Sequence, residues 1–272
     1  MSKSPESHAA LTAVVAALDT IAVAVSGGVD SLTLATFAHR LHGSRCVMFH
    51  AVSPAVPSEA TLRTQELAAH EGWNLCIIDA GEFGSADYVR NPVNRCFYCK
   101  TTLYVAIRAH TSAQIVSGTN VDDLSDYRPG LTAAREHGVR HPFVEADMTK
   151  SAVRELARAL RLGSVAELPA SPCLASRVET GIAIDADVLA DIQTAERYLS
   201  RILKPKTVRC RVRGHGVVIE LDEYTQALMA SDQQAALRVD LQALFASDAM
   251  TRPVTFERYR VGSAFLRAAA ID

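Results

Sequence analysis

Along the first two thirds of the chain the hydrophobic positions alternate between two spacings. Short runs of mostly apolar residues, Ile21 to Val25, Cys46 to Val52, Leu75 to Ile78 and Gln114 to Ser117, predict buried strands. Apolar positions at helical spacing predict helices over His8 to Leu18, Leu32 to Leu41, Ser58 to Glu71, Lys100 to His110 and Thr149 to Leu160. His42-Gly43 and Gly72 are stop signals, Ser58 with Thr61 is a partial capping box, and Thr149 is an N-cap for a helix that Gly163 should close. Strands and helices alternating at this pace predict a parallel α/β sheet covered on both faces, with ligands at the carboxyl ends of its strands.

The pattern changes after Leu168-Pro169-Ala170-Ser171-Pro172-Cys173, a loop constrained by two prolines. A helix over Asp185 to Leu199, strands at Thr207 to Val212 and Val217 to Leu221, a helix around Asp232 to Phe245 and a strand at Val254 to Glu257 describe a small α+β unit. The expected boundary lies at Arg177, giving domains 1–177 and 178–272. No internal repeat or low-complexity tract interrupts either part.

Composition narrows the function classes. With 272 residues, 49% of them hydrophobic and 21% charged, the chain can bury a substantial core. A net charge of −2 argues against a dedicated nucleic-acid binder. No apolar run is long enough to span a membrane and Met1 to Ala10 lacks the plan of a signal peptide, so a cytoplasmic location is expected. Six cysteines in a reducing compartment are thiols, metal ligands or catalysts rather than disulfides. Cys46, Cys76 and Cys210 fall inside strand patterns and read as core.

The candidate chemistry gathers in a few stretches. Ser26-Gly27-Gly28-Val29-Asp30-Ser31 joins a strand to a helix through a glycine turn, which aims backbone N–H groups and a helix dipole at an anion. Ser26 and Ser31 add hydroxyls, and Asp30 calls for Mg²⁺ beside any phosphate. The Walker lysine is absent, and an ordinary glycine-rich turn is the alternative. Gly118-Thr119-Asn120-Val121-Asp122-Asp123 forms a second polar loop at a strand's carboxyl end.

Cys96 and Cys99 form a C-x-x-C at a helix start, where the dipole favours thiolate, and Cys173 supplies a third thiol. Three thiols suit a metal or cluster with an open position; a redox dithiol and incidental buried thiols remain alternatives. Arg209 and Arg211 share one face of a predicted strand and could grip a phosphate, or simply line a solvated surface.

The loop Ser26 to Ser31 resembles the SGGxDS signature of the PP-loop ATP pyrophosphatases, which split ATP between its α and β phosphates and pass AMP to an acceptor oxygen. Asn91-Pro92, Arg95-Cys96-Phe97-Tyr98-Cys99-Lys100, Gly118-Thr119-Asn120, Tyr127-Arg128-Pro129-Gly130 and Ser171-Pro172-Cys173-Leu174-Ala175-Ser176-Arg177 together resemble the LarE family of ATP-dependent sulfur transferases, which make the nickel-pincer nucleotide cofactor. The resemblance runs from the Ser26 loop to Arg260.

It implies a PP-loop domain with a smaller α+β C-terminal domain, and adenylation of a carboxylate of pyridinium-3,5-biscarboxylic acid mononucleotide followed by replacement of AMP with sulfur. ATP and Mg²⁺ would then lie at Ser26, Gly27, Gly28, Asp30, Ser31 and Gly118, and the phosphorylated substrate at Ser176, Arg177, Arg209, Arg211 and Arg260. Asp30, Glu196 and Cys173 would be the catalytic residues, with Cys173 bearing the sulfur.

In one branch of the family that cysteine surrenders its own sulfur. In the other, cysteines matching Cys96, Cys99 and Cys173 hold a 4Fe-4S cluster that carries an added sulfide, and the presence of all three thiols favours this branch. A homo-oligomer, a sulfur donor and downstream cofactor-maturation proteins are further implications. tRNA thiolation, an ammonia-using ligase and a nucleotide-responsive scaffold with a structural metal are the competing classes.

Overall fold

The computed structural model describes residues 4–125, 127–246 and 253–264. The elements run α1 (Ser4–Ala16), β1 (Ile21–Ala24), α2 (Val29–His42), β2 (Cys46–Ala51), α3 (Ser58–Glu71), β3 (Asn74–Ile78), α4 (Ala86–Val89), α5 (Arg95–His110), β4 (Gln114–Ser117), α6 (Pro129–Glu136), α7 (Pro142–Glu145), α8 (Lys150–Ala159), α9 (Ala186–Leu203), β5 (Val208–Arg213), β6 (Gly216–Leu221), α10 (Glu223–Leu228), α11 (Ser231–Leu244) and β7 (Val254–Arg258). They fall into two compact units. The first comprises residues up to Ser85 together with Asn94–Ser171; the second comprises Ala86–Val93 and the chain from Pro172 onward.

In the first unit four parallel strands take the order β3-β2-β1-β4. All four residues of β1 are buried, as befits a central strand with both faces covered. Ile21 and Val23 face a core shared with α1, α2 and α8, whereas Ala22 and Ala24 pack with Tyr104 and Ile107 of α5 and with Ala133 and Ala134 of α6. Because β2 lies on one side of β1 and β4 on the other, the strand order switches sides between β1 and β4, and the carboxyl ends of these two parallel strands are the place where such sheets bind ligands.

The second unit has a three-stranded sheet, β5-β6-β7, with β5 antiparallel and β7 parallel to β6. Leu189, Ile192, Ala195 and Leu199 are the buried face of α9, which packs on β5. The segment Ala86–Val93 is fastened here by Asn91, buried with its backbone at φ 55°, a conformation asparagine tolerates better than most residues. Its Nδ2 donates to the carbonyls of Glu179 and Ile182, both at 2.9 Å.

Several local expectations need revising. Ser58 is the first helical residue of α3 rather than its cap; Pro57 holds the cap position, with no side-chain hydrogen bond. Thr149 Oγ1 does accept from Ala152 N at 3.4 Å, but α8 ends at Ala159 and the chain turns left-handed already at Arg161 (φ 60°). The short helices α4, α6, α7 and α10 offer too few turns for a periodic pattern, although Pro129 and Pro142 stand at the first-turn positions that favour proline. Residues 172–177 pack with the second unit, not the first. No helix among the described residues is long and apolar enough to cross a membrane.

Candidate active site

On the first unit, the Ser26 loop is built by close packing. Gly27 takes φ +77°, and a Cβ there would lie 2.6 Å from the carbonyl oxygen of Ala60 in α3. Gly28 caps α2 with extended backbone and no side chain, so no cap side chain covers the positive end of that helix. Ser31 Oγ accepts from Ser26 N at 3.0 Å, pairs with Ser26 Oγ at 3.1 Å and donates to Gly28 O at 3.2 Å, which folds the loop upon itself. Arg63 of α3 donates to Gly27 O at 2.6 Å and places positive charge against the loop.

Support comes from beneath. His50 of β2 is buried, with Nδ1 donating to Val25 O at 2.9 Å and Nε2 accepting from Thr61 Oγ1 at 2.9 Å. Burial pushes its pKa down, so the imidazole is held neutral.

The β4 loop meets this one. A Cβ on Gly118 would lie 2.8 Å from both Asp30 C and Ser31 N, so glycine is what lets the loop touch the first turn of α2. Asn120 Nδ2 then reaches Asp30 Oδ1 at 3.3 Å, and Lys150, the first residue of α8, forms an ion pair with Asp30 Oδ2. Lys150 N is held in turn by Asp122 Oδ2 at 2.8 Å. Asp123 pairs with Arg128 at 2.8 Å. His141 Nδ1 pairs with Ser117 Oγ at 2.9 Å, and its pKa is lowered chiefly by burial. The result is a mixed-charge cluster at the carboxyl ends of β1 and β4.

Cys96 and Cys99 lie in the first two turns of α5, three residues apart and therefore on one face, both half-buried. Two thiols so placed have the chemistry of a soft-metal half-site. Among the described residues no group of three or more His, Cys, Asp or Glu is arranged to hold a metal ion. The remaining cysteines behave differently. Burial pushes Cys46 up to about 12 and Cys210 well above its ordinary value, which keeps both as inert thiols. Cys76 is half-buried in β3.

On the second unit, Cys173 is exposed and the chain dives inward directly after it, Leu174 to Val178 being buried. Arg177 is 2% exposed. It meets Glu196 of α9 through two parallel bonds, Nε and Nη2 each at 3.0 Å, while Nη1 donates to Pro172 O at 2.6 Å, Cys173 O at 3.1 Å and Ser176 Oγ at 3.0 Å. Glu196 Oε1 also accepts from Cys210 N at 3.0 Å.

Arg211 is likewise buried, donating to Glu220 Oε2 and to Ser176 O, each at 3.0 Å. Arg213 completes the enclosure of Glu220 at 2.8 Å. Arg209 lies near the Tyr259 ring, 6.0 Å from its centroid, and burial followed by the Arg177 charge depresses its pKa. Arg260 is exposed, with Glu257 3.4 Å away. A groove of about 530 Å³ elsewhere on this unit, lined by Ile202, Lys204, Tyr224 and Leu228 among others, includes none of these residues.

No protein-family model matches the chain. An uncharacterized protein of Synechocystis sp. is 36% identical over 189 residues, 68% of this chain and 70% of the relative. An uncharacterized protein of Methanocaldococcus jannaschii is 28% identical over 208 residues, 75% of this chain and 78% of the relative. The pyridinium-3,5-bisthiocarboxylic acid mononucleotide synthase of Lactiplantibacillus plantarum is 32% identical over 221 residues, 79% of each chain. The chain belongs to the LarE family.

Within this LarE-family chain the structure joins some of the residues singled out from sequence and separates others. Ser26, Gly27, Gly28, Asp30, Ser31 and Gly118 come together on the first unit, which also carries Cys96 and Cys99. Cys173, Ser176, Arg177, Glu196, Arg209, Arg211 and Arg260 belong to the second.

Arg209 and Arg211 differ in surroundings: Arg211 is buried against Glu220, whereas Arg209 is half-buried. Sequence reasoning missed Lys150, Arg63, His50 and His141. Lys150 had a usable signal, a cation directly after a helix cap, where the dipole disfavours it unless an acid or an anion is near.

Proposed function

We propose that this LarE-family protein is an ATP-dependent sulfur transferase that converts a carboxylate of a pyridinium-carboxylate mononucleotide into a thiocarboxylate. The observation that carries the reading is the meeting of the β1 and β4 loops at Asp30, Asn120 and Lys150. That meeting point offers a glycine-lined helix start for phosphate and, in Lys150 and Arg63, two cations for the charge of a departing pyrophosphate. A carboxylate is a poor electrophile; transfer of AMP to its oxygen creates a good leaving group, and a soft sulfur nucleophile then displaces it. Asp30 would hold Mg²⁺ against the phosphates.

Cys173, exposed and backed by a fixed carbonyl frame, presents the sulfur. Arg209 and Arg260 bind the phosphate of the mononucleotide, since Arg177 and Arg211 are engaged inside their unit. Cys96, Cys99 and Cys173 have the donor chemistry of a cluster with one open position, and a 4Fe-4S cluster held there would supply a renewable sulfide.

The test is incubation of anaerobically prepared protein with ATP, Mg²⁺ and the dicarboxylated nucleotide. Pyrophosphate release that depends on the nucleotide, and a product mass showing sulfur in place of oxygen, are expected. Cys173→Ala should still release pyrophosphate yet form no thiocarboxylate. Nucleotide-independent turnover, or turnover stimulated by tRNA instead, overturns the proposal. Iron and acid-labile sulfide content of the same sample, with intact mass after turnover, separates a cluster-borne sulfide from a cysteine that loses its own sulfur.

A further inference from the structure

We propose that Arg177 is a positioning residue for Cys173, and that Glu196 acts through Arg177 rather than on the substrate. The inference deepens the reading of Cys173 as the sulfur-bearing residue and rests on it. Three observations converge. Arg177 is 2% exposed, so its guanidinium is turned away from any ligand in solvent. Its Nη1 donates to the carbonyls of the two peptide links that flank the Cys173 Cα, Pro172 O at 2.6 Å and Cys173 O at 3.1 Å, while the thiol-bearing residue itself is exposed. Its opposite edge is gripped by both oxygens of Glu196, whose Oε1 is fixed to the backbone of β5 through Cys210 N at 3.0 Å.

These contacts form one chain of fixation from a strand, through a helix, to the peptide planes that set the direction of the Cys173 Cα–Cβ bond. A planar fork is the group suited to it: two edges can be engaged at once without freedom of rotation, which an ammonium cannot reproduce. Backbone carbonyls held by a buried cation cannot turn outward when the exposed Ser171-Pro172 segment moves. The thiol is thereby kept aimed while remaining accessible, the condition for a nucleophile that must meet an activated carboxyl group within about 3–3.5 Å.

The experiment uses the full chain and two variants, Glu196→Gln and Arg177→Lys, each first checked for a cooperative thermal transition. Glu196→Gln retains an acceptor for Cys210 N but loses the charged fork, so it serves if Arg177→Lys fails to fold. Three readouts follow: amide hydrogen exchange over residues 168–178, the rates of Cys173 and Cys99 alkylation by iodoacetamide read by peptide mass after digestion, and kcat and KM for thiocarboxylate formation.

Faster exchange confined to 168–178, an alkylation rate altered at Cys173 and unaltered at Cys99, and a kcat lowered about tenfold or more with KM for the nucleotide within about twofold support positioning. Unchanged exchange, or a raised KM with kcat preserved, overturns it and returns Arg177 or Glu196 to substrate binding. Exchange and alkylation judge the positioning even where Cys173→Ala keeps full sulfur transfer, the result that would overturn the proposed role of Cys173 alone.

Discussion

Gly118→Ala tests the contact between the β1 and β4 loops of the first unit. The new Cβ would stand 2.8 Å from Asp30 C and Ser31 N and 3.0 Å from Asp30 O, about 0.6 Å short of ordinary contact at 3.4 Å. None of these atoms is a side-chain tip that can swing aside. On the other side Ser117 is locked opposite Ala24 in the parallel pairing of β1 and β4, so the displacement falls on the loop itself and on the first turn of α2.

Overpacking against backbone costs about 1–3 kcal/mol, and each kcal/mol lowers Tm by about 2–4 °C in a unit of this size. If the proposed function holds, moving the loop should also weaken ATP binding by about tenfold or more, because a displaced glycine turn no longer presents its amides to the phosphates. Differential scanning calorimetry and isothermal titration with a non-hydrolysable ATP analogue measure both effects. Gly84→Ala is the control, since nothing lies within 4 Å of its added Cβ. A Gly118→Ala protein with the native Tm and native nucleotide affinity would refute the close approach of the two loops.

Lys150→Met should lower pyrophosphate release by about 10²–10³-fold while leaving the circular dichroism spectrum unchanged, as loss of a fixed cation opposite developing charge does; a loss under threefold removes Lys150 from the reaction. Glu220→Gln leaves Arg211 and Arg213 facing a neutral group in a buried site and should destabilise the second unit by about 3 kcal/mol in urea unfolding. No change in the midpoint would mean that the enclosure contributes nothing.

His50 and His141 have folded-state pKa values below the unfolded one, so the unfolded chain binds more protons between the two. Their stabilisation is complete above about pH 6.5 and is lost as pH falls through that window, at no more than about 1.4 kcal/mol per pH unit for each group. Tm measured from pH 7.5 down to 5 should fall, and His50→Gln should flatten the fall. An unaltered slope contradicts the neutral assignment of His50.

Much of the first unit was legible because β1, β2 and β4 are largely buried, whereas the edge strand β3, expected to be buried from its apolar run, leaves Asn74 and Ile77 exposed. A run such as Ile21-Ala22-Val23-Ala24 has one stable use, and Gly72 and Gly43 stop the neighbouring helices where expected. The Ser26 loop was legible for the same local reason. The partner of Lys150 was not, since the cation after the Thr149 cap signals only that an acid or anion is near, and Asp30 lies 120 residues away.

The β5 arginines show a subtler limit. Alternation correctly puts Arg209 and Arg211 on one face, yet Glu220 stands opposite Arg209 in the pairing and bonds diagonally to Arg211. Which of two equivalent guanidiniums an acid selects depends on strand register and twist, and no period in the sequence encodes that choice. The attachment of Ala86–Val93 to the second unit rests on the Asn91 side-chain amide and on two backbone bonds, Gly181 N to Asn91 O at 2.9 Å and Ile184 N to Val89 O at 2.8 Å, all to residues about 90 positions downstream.

That borrowed segment changes the order of events as the chain is made. Asn91 leaves the ribosome before any of its acceptors exist, and the whole of Asn94–Ser171 must be synthesised before Val178, Glu179 and Ile182 can receive it. The second unit is therefore begun before the first is complete and cannot close until after it. A fragment cut to start at Pro172 would lack the piece that Asn91 supplies, leaving the carbonyls of Glu179 and Ile182 without their amide donor. Two working halves cannot be had by a single cut, and any circular permutation or fusion of this chain has to keep Ala86–Val93 covalently within reach of both.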